Sequence, residues 1–162
     1  MAVSVVVQHV SRHAGTPSRA QLARWVAAAA PDARGEVTVR ITGTEESRAL
    51  NRDWRGRDHA TNVLSFPAGD LPAEIPDAPL GDLVLCADVI AREAHEQGKV
   101  ETAHWAHMVV HGVLHLLGHD HQSPAEADAM EALEVRVLAS LGWSDPYAPP
   151  PPAAAPVQRT AS

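Results

Sequence analysis

Apolar and polar positions change period several times along the chain, and each change marks an element. The β-branched run "VSVVVQ" (3–8) predicts a first strand. Thr16 followed by Pro17 makes a helix start with proline at the first helical position. Leu22, Trp25, Val26 and Ala29 then recur at helical spacing as far as Pro31. "EVTVRIT" (36–42) alternates with period two and predicts a second strand. Thr44, with Glu45 and Glu46 in the first turn, opens a short helix whose positive end suits the acids. On that helix Leu50 and Trp54 lie one turn apart and are expected to face the core; stacking of a base by Trp54 is the less favoured alternative.

"NVLSF" (62–66) predicts a third strand, ended by Pro67, and the Pro/Ala/acid-rich stretch from Pro67 to Pro79 a loop. "DLVLC" (82–86) predicts a fourth strand, followed by a helix over 87–97 that stops at Gly98. A long helix covers 101–117 and stops at Gly118. Ser123, Pro124 and Glu126 form a cap, a first-turn proline and a capping-box acid. The helix they open turns Ala127, Met130, Leu133, Val137, Leu138 and Leu141 inward and ends at Gly142. Strands and helices are interspersed without strict alternation. The expectation is an α+β single domain, with a mixed four-stranded sheet packed with about five helices. It spans residues 1–147. The Pro/Ala-rich tail, 148–162, cannot build a core and is expected to be disordered. No glycine-rich phosphate loop follows a strand, which argues against a nucleotide-binding fold.

Composition narrows the class. With 162 residues and 45 % hydrophobic content, the chain can bury a real core without disulfides. No apolar run approaches the roughly 20 residues of a membrane span, and the start lacks the features of a secretory signal. Cys86, the single cysteine, fits a reducing compartment. A cytoplasmic protein with no membrane partner is expected. The net charge of -7 argues against simple coating of nucleic acid. The distribution says more: residues 1–59 hold nine arginines against six acids, and 60–162 hold four basic residues against fourteen acids. Arg48, Arg52, Arg55 and Arg57 lie close together, as a solvated face or as an anion-facing patch.

The chemistry concentrates in "HGVLHLLGHDH" (111–121). Successive helical residues rotate by about 100°, so His111 and His115 lie about 40° apart and one turn apart on one face. Two imidazoles so placed suit one metal. Gly118 breaks the helix and lets the chain bring His121 back as a third ligand. Three neutral imidazoles leave a fourth position for water, as in a catalytic zinc site. His107, on nearly the same face, and Asp120, beside the third ligand, are candidates to orient these groups. His104 and His119 share their neighbourhood, whereas His9, His13 and His95 read as surface residues. A zinc peptidase carries glutamate directly after its first histidine, to pass a proton to the leaving amine. Gly112 stands there instead. Zinc still lowers the pKa of its bound water towards about 7, so chemistry with a better leaving group, such as phosphodiester cleavage, gains weight.

These motifs resemble the YbeY family of metal-dependent endoribonucleases, the rRNA maturation factors. The resemblance rests on "HGVLHLLGHDH" with the preceding "HWAHMVV", on "RGRDHATNVLSFP" (55–67), "LGDLVLC" (80–86), "MEALE" (130–134) and "LGWSDPY" (141–147). It implies one Zn2+ ion held by His111, His115 and His121, and Arg55 as a residue important for activity. It also implies hydrolysis of single-stranded RNA, with roles in processing the 3′ end of small-subunit rRNA, ribosome maturation and ribosome quality control. The implied partners are rRNA and the small ribosomal subunit or its assembly factors. Arg57 stands where lysine is usual, and Ala60 where many members have proline. Arg57, Asn62 and Ser65, with Thr61, are candidates for substrate contact. Two other readings stand beside this one: a metallopeptidase with its base elsewhere, and a non-catalytic ribosome-assembly factor. In the latter, Asp120 or His119 would close a structural zinc site.

Overall fold

The most apolar strands occupy the middle of the sheet. In this computed structural model, which describes residues 3–10, 15–68, 79–119 and 122–148, the strands are β1 (Ser4–His9), β2 (Glu36–Thr42), β3 (Val63–Pro67) and β4 (Gly81–Cys86). Their order is β1-β2-β4-β3; β1, β2 and β4 run parallel, and β3 closes one edge antiparallel to β4. The period-two pattern of β2 puts Val37, Val39 and Ile41 on the covered face, where each is 0 % exposed. On the opposite face Arg40 pairs with Glu46 and donates to Gln8. All four predicted strands are present, each within one residue of its expected bounds. The α+β expectation holds: one mixed sheet with five helices.

The helices are α1 (Arg19–Ala29), α2 (Thr44–Arg55), α3 (Ala87–Glu96), α4 (Glu101–Leu116) and α5 (Pro124–Ser140). One start differs from expectation. Helix α1 is capped by Ser18, not Thr16: Ser18 Oγ accepts the Gln21 N–H and the Gln21 side chain accepts the Ser18 N–H. A complete capping box satisfies two orphan donors, which proline at position 17 alone does not do. Helix α5 begins as predicted, with the Ser123–Glu126 box.

Helix α4 is the centre of the molecule. It packs against β3, β4, α1, α3 and α5, and Trp105, Ala106, Val109, Val110 and Val113 are fully buried. Full burial of one such aliphatic side chain contributes about 1.5–3 kcal/mol, so α4 is held far more firmly than a surface helix. Gly112 shows how closely it lies on the sheet. A Cβ there would meet Leu83 Cδ2 at 2.8 Å, Val63 Cγ2 at 3.1 Å and Ser65 Oγ at 3.3 Å. The position that carries glutamate in zinc peptidases faces the sheet here and has no room for a side chain.

Helix α2 departs from its predicted orientation. Its buried residues are Ser47 and Asn51; Leu50 is only partly buried and Trp54 is 66 % exposed. The inward face is polar because it holds the backbone of the loop leading to β3. Among the described residues no helix is long and apolar enough to cross a membrane. The loop core (69–78), Asp120, His121, His13 and residues 149–162 of the tail lie outside the described residues.

Candidate active site

The first wall of the site is the loop between α2 and β3, and α2 holds it by side chain to backbone bonds. Ser47 Oγ donates to the Thr61 carbonyl at 2.9 Å and accepts the Thr61 N–H at 3.0 Å. Asn51 Nδ2 donates to the His59 carbonyl at 2.8 Å, and the Arg57 N–H donates to the Asn51 carbonyl at 3.2 Å. The arginine cluster is thereby sorted. Arg48 forks onto Asp58 at 2.7 and 3.0 Å and Arg52 bonds Asp53 at 3.1 Å. Arg55 and Arg57 pair with no carboxylate among the described residues, and both line the central cleft.

Arg55 is fixed at the open edge of the sheet. Asn62 and Ala68 bond to β4 through the Cys86 N–H and the Leu80 carbonyl, so the residues between them alternate, and Ser65 turns its backbone groups outward. Arg55 Nη2 donates to that Ser65 carbonyl at 2.7 Å, and Nη1 to the Trp54 carbonyl at 3.2 Å. The guanidinium lies 5.0 Å from the centre of the Phe66 ring. Two of its five N–H groups are used in this way, and the other three remain for an anion.

The second wall is α4. His107, His111 and His115 run along one face, and Glu134 of α5 stands behind the first two. Glu134 is 0 % exposed, in an apolar stripe with Met130 and Leu138. One oxygen accepts from His107 Nε2 at 2.8 Å and from the Tyr147 hydroxyl; the other accepts from His111 Nδ1 at 2.6 Å. Burial alone would raise the Glu134 carboxyl, but the bonds from His107, His111 and Tyr147 outweigh it and hold the group down at about 2. Burial and the adjacent carboxylate push the Tyr147 phenol up.

An ionised carboxylate only accepts, so the His111 nitrogen facing it carries the proton. With Nδ1 engaged in this way, Nε2 is the ring atom left for a metal. That atom lies 3.1 Å from Nε2 of His115, one helical turn on. Two imidazoles on one tetrahedral zinc, with Zn–N of about 2.0–2.1 Å, put their nitrogens about 3.3 Å apart. The pair therefore fits the metal expected from the motif, and Gly118, two residues beyond the end of α4, adopts the left-handed conformation at φ 98°. The described residues contain no group of three or more His, Cys, Asp or Glu able to hold a metal, and the expected third ligand, His121, is outside them.

Between the walls lies a cleft of about 660 Å³. His111, His115 and His119 line one side, and Arg55, Arg57, Asn62 and Ser65 the other. The polar side chains of β3 and of Asn62 just before it are already engaged. Ser65 Oγ donates to the Gly112 carbonyl at 3.0 Å, tying β3 to α4. Asn62 Nδ2 donates to Glu93 at 3.0 Å, and its Oδ1 accepts the Val63 N–H at 2.6 Å. Glu93 also accepts from His104 Nε2 at 2.8 Å. Two residues escaped the sequence reading. Glu134 was readable as an acid at i+4 between Met130 and Leu138, where a helix facing the core carries apolar residues. Tyr147 closes the motif "LGWSDPY", but nothing in that motif points to its partner, which lies 13 residues earlier in the chain.

Residues 9–142 match the family model described as Endoribonuclease YbeY. A curated relative named Endoribonuclease YbeY, from Halorhodospira halophila, is 55 % identical over 150 residues, covering 90 % of this chain and 96 % of its own. Another of that name, from Stutzerimonas stutzeri, is 58 % identical over 135 residues, covering 82 % and 84 %. The solution structure of TM1509 from Thermotoga maritima is 21 % identical, with a TM-score of 0.54 over 88 % of this chain and 99 % of that one, and supports the fold.

Proposed function

Because the chain belongs to the YbeY family of endoribonucleases, and so is an RNA-cleaving hydrolase, we propose that its cleft takes single-stranded RNA and cuts it beside His111 and His115. The observation that carries this reading is the approach of two imidazole Nε2 atoms to 3.1 Å in a cleft lined by Arg55 and Arg57. His111, His115 and His121 would hold one zinc ion, which three imidazoles favour. Bound there, zinc supplies a Lewis acid and lowers the pKa of a coordinated water.

The chain's own residues do the rest. Glu134 keeps the His111 proton on Nδ1 and its lone pair towards the cleft, with His107 and Tyr147 sharing the task of holding the carboxylate. Asp120 would orient the third imidazole in the same manner. Arg55, pinned by two carbonyls, presents its remaining donors to the non-bridging oxygens as charge develops on phosphorus. Arg57 adds a second cation on the same wall, and Asn62 and Ser65 form the surface along which the strand lies. Gly112 weighs against the peptidase reading: a carboxylate at that position would press on Leu83 and Val63, away from any leaving amine.

In the biological setting we infer for it, the enzyme acts in the cytoplasm on small-subunit rRNA. Its work there is 3′-end processing, ribosome maturation and quality control, with the small subunit or its assembly factors as partners. The family resemblance supports this setting.

Metal content and cleavage of RNA and of casein, measured on wild type, His115→Ala and Arg55→Ala, test the proposal. Wild type should bind zinc and cut RNA but not casein. His115→Ala should lose both metal and cleavage. Arg55→Ala should keep the metal and lose roughly 10²–10³ in kcat, the scale for removing one group that stabilises developing charge. Full RNase activity in Arg55→Ala, or a metal-free wild type, would sink the assignment. A 2′,3′-cyclic phosphate on the product would identify the RNA's own 2′-hydroxyl as nucleophile; its absence throughout the reaction would favour water.

A further inference from the structure

Trp54 is the most exposed large apolar side chain among the described residues, at 66 %. A tryptophan so placed leaves a broad apolar face in water and contributes little to the core. Its setting is not that of a stray surface residue. The ring meets Phe66 edge to face, with centres 6.1 Å apart and planes at 75°. Phe66 is covered in turn by the Arg55 guanidinium at 5.0 Å, and Arg55 bonds the Trp54 carbonyl and the Ser65 carbonyl.

The three side chains wrap the open edge of β3. Ser65 and Pro67 line the cleft on one face of that strand. Phe66, between them, points to the other face, and Arg55 spans the edge. A chain lying in the cleft that leaves across this edge meets Arg55 first and the face of Trp54 next. The ledge is therefore a fixed aromatic surface beside a cation, at the exit from a site lined by a second cation, Arg57. Arg55 and Arg57 lack carboxylate partners among the described residues, so the charge next to the ring favours a polyanion carrying flat, unpaired rings.

We propose that Trp54, backed by Phe66 and flanked by Arg55, is a stacking subsite for an unpaired nucleobase just outside the linkage that is cut. The proposal rests on the RNA-cleaving reading of the cleft. It also gives a physical source for single-strand selectivity, because a base paired in a duplex has no free face to offer the ring.

The test uses the full-length, metal-loaded protein and a fluorescein-labelled single-stranded RNA containing one cleavage site. Steady-state constants are measured for wild type, Trp54→Ala and Trp54→Phe. The same RNA is then remade with one abasic nucleotide stepped along both sides of the cut. Trp54→Ala should raise KM by about 5- to 100-fold with kcat within about twofold, because a contact made equally before and during reaction is lost. Trp54→Phe should recover most of that loss. At one abasic position wild type should fall to the level of Trp54→Ala, and Trp54→Ala should fall no further. Melting curves of the variants should superimpose on wild type, as expected for an exposed side chain.

If Trp54→Ala binds and cuts as wild type does, the ring faces something other than an RNA base and the proposal fails, while the role of the cleft stands. It fails equally if the penalty of Trp54→Ala is undiminished on every abasic RNA. If wild type neither binds nor cuts RNA, the reading of the cleft fails and takes this subsite with it.

Discussion

Glu93 and Glu134 both hold histidines of α4, yet they serve successive turns of the helix and differ in what they transmit. Glu93, on α3, accepts from His104 Nε2 and from Asn62 Nδ2, so it ties α3 and α4 to the start of β3. Its side chain is 26 % exposed. The side chain of Glu134, on α5, is 1 % exposed and accepts from His107, His111 and Tyr147. The bonding chemistry is the same. The difference lies in the far side of the ring: His104 ends the Glu93 cluster inside the protein, whereas His111 carries its second nitrogen into the cleft. One carboxylate is a strut, and the other sets which nitrogen of His111 faces the cleft.

The contrast can be broken most sharply at Glu134. Glu134→Ala removes the acceptor shared by His107, His111 and Tyr147, of which only His107 is buried. A buried donor left without its acceptor costs about 1–3 kcal/mol, so a loss of about that size is expected in urea unfolding. Zinc affinity, measured by competition with a chromophoric chelator, should fall about 10- to 100-fold. Glu93→Ala is the control. It should cost roughly 1–2 kcal/mol, because water can reach part of the site, and it should leave zinc affinity alone. Equal affinities in the two variants would erase the distinction between strut and orienter.

A smaller effect separates the pair by pH. Burial alone would raise the Glu93 carboxyl, but the bonds from His104 and Asn62 bring it below its ordinary 4.5. A carboxyl depressed in the folded state contributes stability that is full above the unfolded pKa and is lost as pH falls through the folded one. Wild type should therefore lose part of its stability as pH drops below about 4.5, and Glu93→Gln should show a flatter curve over that range in thermal melts. A parallel curve would mean that the Glu93 cluster adds nothing in acid.

The smallest expected change is at Tyr147. Tyr147→Phe removes one of three donors to Glu134 and leaves both histidines in place. The cost should be about 0.5–1.5 kcal/mol, with zinc affinity within roughly threefold of wild type. A loss of affinity as large as that of Glu134→Ala would move Tyr147 from a support of the carboxylate to a part of the site.

Much of this was legible from residues near one another in the chain. Alternation in 36–42, the cap at Ser123, and the glycines that stop α4 and α5 are local, and the structure realises them because backbone geometry is decided over a few residues. The spacing of His111 and His115 is likewise a property of one helix. What the sequence concealed depended on partners far along the chain. Glu134 meets His111 across 23 residues and Asn62 meets Glu93 across 31, and no periodicity reports such pairs.

Trp54 shows how a local rule fails. Helical spacing from Leu50 pointed it inward, but Ser47 and Asn51 take the inward face because the loop before β3 needs their hydrogen bonds. Gly112 shows the converse. By itself it marks only a missing catalytic acid; against the sheet it is the residue that lets α4 approach Val63, Ser65 and Leu83. Sequence alone determined the elements, the histidine pair and the family. Tertiary packing decided which carboxylate faces which ring, which arginines are left for an anion, and which aromatic stands in water, because each depends on atoms that only folding brings within a few ångströms.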